Sequence, residues 1–157
     1  MIDGYLLTKW VHILSSTVLF GTGLGTALQM FLAHREGNVR AIATVDRNVV
    51  RADWLCTLPS GIVQPISGLI LIDFAHLDPF APWLFLVYVL YSIAGLCWII
   101  VVVLQLRMAR VATDVASFGA VLPIGYWRMY RAWFWLGWPA FLSLVAIFVL
   151  MVFKPDL

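Results

Sequence analysis

"YLLTKWVHILSSTVLFGTGLGTALQMFLA", residues 5–33, is the stretch whose reading decides the fold. It contains two basic side chains, Lys9 and His12, and no acid. Wound as a helix at about 1.5 Å per residue, a run this long crosses the roughly 30 Å hydrocarbon core of a bilayer. It has no basic start, and its apolar part is too long for the core of a secretory signal, so it reads as a retained helix.

The same reading extends outward to residues 53–74, 83–106 and 133–153, each long and apolar enough to span. Composition agrees. The chain of 157 residues is 63% hydrophobic and 11% charged, where soluble proteins carry roughly 25% charge. Its mean hydropathy is +0.97. Lipid offers no partners to exposed backbone groups, so helices are the expected solution, and no short alternating segments suggest a barrel. The expectation is an all-α integral membrane four-helix bundle forming a single domain. No basic cluster interleaved with aromatics supports nucleic-acid binding. Cys56 and Cys97 lie in apolar runs without ligand spacing and read as small buried side chains.

Orientation follows from the loops. Arg35, Arg40, Arg47 and Arg51 follow the first span, and Arg107, Arg110, Arg128 and Arg131 follow the third. The connection "DFAHLDPFAPW", residues 73–83, has neither Lys nor Arg. Both termini are therefore expected outside, with the two arginine-rich loops in the cytoplasm of an inner-membrane protein. Trp127, Tyr130, Trp133 and Trp135 read as an aromatic belt at that interface. "NVRAIATVDRNVVRAD", residues 38–53, suits an interfacial amphipathic helix or an inward extension of the second span. Residues 110–128 read as a short helix, a Gly/Pro turn and the entry to the fourth span.

Polar residues at steps of three and four draw a stripe on each span. They are Lys9, His12, Ser15 or Ser16, and Gly23 on the first, and Asp53, Thr57, Ser60, Gln64 and Ser67 or Gly68 on the second. Tyr88, Tyr91 or Ser92, Gly95, Trp98 and Gln105 mark the third, and Gly137, Pro139 and Ser143 the fourth. Such stripes face a bundle interior. Counting depth at about 1.5 Å per residue puts His12, Gln64, Ser67 and Tyr91 in one layer of the outer half, with Lys9 a turn above. Lys9 reads as an interfacial anchor or a member of the site. Pro65 removes a backbone donor and frees the carbonyl of Gly61. At the inner end Arg51, Asp53, Arg107, Arg128 and Arg131 form an expected cluster, with Asp53 pairing to one arginine. A lipid headgroup site is the sharper reading of that cluster.

A histidine inside a span raises b-type haem as a cofactor, held by His12 alone or with His76 at the outer end of the second span. His34 lies at the opposite face. No copper or other metal set is expected, since Met30 is at the wrong depth. "GTGLGT", residues 21–26, lacks the last glycine and the preceding strand of a dinucleotide fingerprint, so Gly21 and Gly25 read as a small-residue contact face.

"KWVHILSSTVLFGTGLGTA", "RADWLCTLPSGIVQPISGL", "LYSIAGLCWIIVVVLQLR" and "YWRMYRAWFWLGWPA" together resemble a bacterial family of predicted integral membrane proteins of unknown function. More distantly, the helix carrying Lys9 and His12 is similar to HemJ-type protoporphyrinogen oxidases and CopD-like membrane proteins. That likeness implies a haem- or metal-linked role at His12. The sequence departs from it in having no second histidine inside a span. The leading reading is a polytopic membrane protein with a polar layer and no catalytic site. The alternatives are a redox protein using His12, and a small transporter or accessory subunit, as a homo-oligomer or with another membrane protein.

Overall fold

The computed structural model describes residues 3–155. Among them the chain is helical and has no strand: α1 (Gly4–Glu36), α2 (Val39–Ala52), α3 (Leu58–Phe74), α4 (Pro82–Phe118) and α5 (Ile124–Phe153). A π-helical turn, Asp53–Thr57, joins α2 to α3, so Val39–Phe74 is one continuous rod. Four helices are thus long and apolar enough to cross a membrane. Segment 38–53 is an extension of the second span, not a separate interfacial helix. On the arginine-rich side α4 runs to Phe118 and α5 begins at Ile124, well past the expected span limits.

Local chemistry sets the ends. Asp3 caps α1 by accepting from Tyr5 N, and Asn38 caps α2 by accepting from Arg40 N and Ala41 N. Gly37 and Gly119 close α1 and α4 in the left-handed region, which glycine enters without a Cβ clash.

Packing divides the molecule into two halves. At the arginine-rich end α2 packs on α1 and α4. There Met30, Ile42, Val49, Met108 and Tyr126 form a closely packed core. Toward the other end α1 packs on α3 and α4 on α5. These two pairs are bridged by long aromatic side chains, with Phe20 stacked on Phe141 at 5.5 Å and Phe31 on Phe134 at 6.3 Å. Outward-facing Trp10, Leu96 and Val152 are exposed apolar side chains. That surface suits lipid and not water.

Candidate functional site

Three polar constellations lie inside the bundle. The first ties α1 to α3. Ser15 Oγ donates to Gln64 Oε1, and Gln64 Nε2 lies 3.1 Å from His12 Nε2. His12 Nδ1 lies 2.8 Å from Ser67 Oγ, which donates to Val63 O at 2.7 Å. An amide nitrogen can only donate, so Nε2 is the acceptor and the ring proton sits on Nδ1. The protons of Ser15 Oγ, His12 Nδ1 and Ser67 Oγ then each have an acceptor, and His12 is a neutral, doubly bonded ring. Gly68 admits the ring, because a Cβ there would meet His12 Cε1 at 3.3 Å.

Tyr91 belongs to a separate bond. Its hydroxyl donates to Gly61 O at 2.5 Å, the carbonyl that Pro65 leaves free. Tyr91→Phe is expected to cost about 1–3 kcal/mol, since that carbonyl is then unpaired. Pro65→Ala restores a backbone donor, so in that background the same change should cost under about 1 kcal/mol. A double-mutant cycle of unfolding in detergent reads the difference.

Lys9 is exposed, with its ammonium 5.6 Å from the Tyr5 ring, and does not join the layer. It points outward because its long stem reaches the interface more cheaply than the bundle interior. His76 is exposed at the turn after α3, and the structure does not bring it to His12. With Nε2 accepting from Gln64 and Nδ1 bound to Ser67, His12 offers no free lone pair, so these residues do not fit a haem ligand set. Among the described residues no three His, Cys, Asp or Glu side chains converge as metal ligands.

The second constellation was not foreseen. At the arginine-rich end His34 Nδ1 lies 2.6 Å from Met30 O, and Nε2 lies 2.7 Å from Tyr126 Oη. Tyr126 Oη also lies 2.7 Å from Asp46 Oδ2. His34 is 7% exposed, Asp46 1% and Tyr126 0%. Met30 O requires a proton on Nδ1, which leaves two protons for the two remaining gaps. They sit either as acid, phenol and neutral imidazole, or as carboxylate, phenol and imidazolium. Both arrangements are neutral overall. The ring of Tyr130 stacks on His34 at 4.0 Å, and Trp133 stacks on Tyr130 at 5.6 Å. Of the four aromatics, Trp133 is buried, Trp127 and Tyr130 are half-buried against this cluster, and Trp135 is exposed.

The expected inner ion-pair cluster is not formed. Asp53 is 5% exposed and lies in the π turn facing the interior. With the Gln105 amide turned to satisfy both neighbours, its nitrogen donates to Asp53 Oδ2 at 2.8 Å and its oxygen accepts from Trp133 Nε1 at 3.3 Å. Arg51, Arg107, Arg128 and Arg131 are exposed, and Arg51 bonds Asn48. The arginines reach outward because their stems allow it, whereas the short Asp53 side chain is held where its helix faces in.

The third constellation is a cavity of about 500 Å³ between the α1–α3 and α4–α5 pairs. All four spans line it, and its walls are apolar and aromatic. Gly23, Gly95 and Gly137 line it, and a Cβ at any of them would meet nothing within 4 Å. Its polar end holds Asp53, Thr57, Trp98 and Gln105. Gly21 and Gly25 are exposed, with no neighbour for a Cβ, so they form no contact face within the chain.

Residues 6–155 match the family described as predicted integral membrane protein, DUF2269. The chain belongs to that family. No curated protein and no solved structure matches it. In this DUF2269 chain the sequence stripes gave the signal for the His12 layer and for several cavity residues. Nothing in their spacing signalled Asp46, Tyr126 and His34, which come from three different helices.

Proposed function

We propose that this DUF2269 protein is a multi-pass inner-membrane protein that holds an apolar, membrane-soluble small molecule between its four spans. The carrying observation is the cavity of about 500 Å³, reached by all four helices and bordered by glycines that leave its space unfilled. Pockets of this size and apolar character, with a few polar groups at one end, are the usual form of small-molecule sites. The His12–Gln64–Ser67 layer braces α1 against α3 beside the cavity. The tightly packed arginine-rich end, placed in the cytoplasm by the loop charges, holds the helix pairs apart.

The test is extraction. Protein purified in mild detergent and its Gly95→Phe variant are extracted with organic solvent, and the extracts are compared by mass spectrometry. Gly95 lines the cavity and a Cβ there meets nothing within 4 Å, so the substitution directs a phenyl ring into that space. An apolar compound should copurify with the wild type and fall at least about tenfold in the variant, a difference of about 1.4 kcal/mol. Identical extracts would overturn the reading.

A further inference from the structure

The cavity's polar end has the character of a counter-ion site. Asp53 is the one Asp, Glu, Lys, Arg or His that lines the cavity among the described residues. Its carboxylate receives the Gln105 amide, but no arginine. Thr57 Oγ1 and Trp98 Nε1, both buried, are its other polar neighbours and have no other hydrogen-bond partner. Tyr91, Trp98 and Trp133 turn aromatic surface toward the same space. A lone acid in aromatic walls attracts positive charge twice, through the carboxylate and through the ring faces.

We propose that the molecule held in the cavity is a lipophilic cation whose charge is matched by Asp53, a proposal that rests on the cavity being a binding site. An ionisable group inside a bundle is costly without a partner, and a hydrophobic cation supplies one from within the membrane. Its apolar body takes the space beside Gly23 and Gly95, and its charge lies against Asp53 and Trp98. A neutral apolar molecule would fill the same volume but supply no positive charge beside Asp53.

The experiment uses the full chain in lipid nanodiscs with two probes, tetraphenylphosphonium and its neutral isostere tetraphenylmethane. Equilibrium binding is measured for the wild type, Asp53→Asn and Gly95→Phe. The wild type should bind the cation at least about tenfold more tightly than the isostere, about 1.4 kcal/mol. Asp53→Asn should lose that preference while still binding the isostere, and Gly95→Phe should lose both probes. Equal binding of the two probes by the wild type, or a preference that survives Asp53→Asn, would overturn the cation proposal and leave the cavity reading standing. Binding of neither probe by the wild type would overturn both. Labelling of wild-type Asp53 by dicyclohexylcarbodiimide gives a readout that needs no variant. The cation should protect Asp53 and the isostere should not; equal labelling with either would count against the proposal.

Discussion

Tyr126→Phe is expected to destabilise the protein by about 3 kcal/mol or more, measured as thermal or denaturant unfolding in detergent. The change removes one oxygen atom and almost no volume, so packing is not the cause. It leaves Asp46 Oδ2 and His34 Nε2 facing each other without the hydroxyl that now joins them. Each is a buried polar atom, and each unpaired group costs about 1–3 kcal/mol. Asp46 Oδ1 already lacks a partner, so the carboxyl has no alternative bond to fall back on. The comparison is Tyr130→Phe, where the ring stacks on His34 and the lost hydroxyl lies in a partly exposed side chain. That variant should change stability by no more than about 0.5 kcal/mol. Equal effects of the two would mean that the Asp46–Tyr126–His34 chain does not hold α1, α2 and α5 together.

The second large effect concerns the two kinds of apolar residue in this molecule. Ile42 is fully buried in the arginine-rich core, so Ile42→Ala should cost about 2–5 kcal/mol through lost contacts and the cavity left behind. Leu96 is 65% exposed on the outward face of α4. Leu96→Ala should change stability by less than about 0.5 kcal/mol, since lipid tails replace the lost contacts. Unfolding of the two variants in lipid nanodiscs gives the comparison. Similar losses would place Leu96 in an interface with another chain.

The fold was readable because lipid imposes simple demands. Length and hydropathy in residues 5–33 are enough to require a helix, and the same holds for the other three spans. The His12 layer was also largely readable, because polar residues at helical steps have to face one another inside a bundle. Tyr91 shows where the reading stopped. Its depth was clear, but its partner is a carbonyl freed by Pro65, and idealised helices do not say which acceptor a hydroxyl reaches. The Asp46–Tyr126–His34 chain stayed hidden for a different reason. Asp46 lay in a segment with two open readings, and Tyr126 in one read as the approach to a span. Only their continuous helices bring them to His34. Asp53 was read as an ion-pair partner because arginines are near it in sequence, yet side-chain length sends the arginines out and keeps the acid in. The stripes name several residues of the cavity, but not the open space between them. That space is a gap between helix pairs, and its glycines are indistinguishable in sequence from those that let helices touch.

A structure of the protein in lipid nanodiscs, determined at a resolution that shows side chains, tests the central claim most directly. The account predicts that the α1–α3 and α4–α5 pairs remain apart. Non-protein density should fill the space beside Gly23 and Gly95 and reach Asp53 and Trp98. A bundle closed at this level, with Gly23, Gly95 and Gly137 in contact with the facing helix and no room between the pairs, would contradict it.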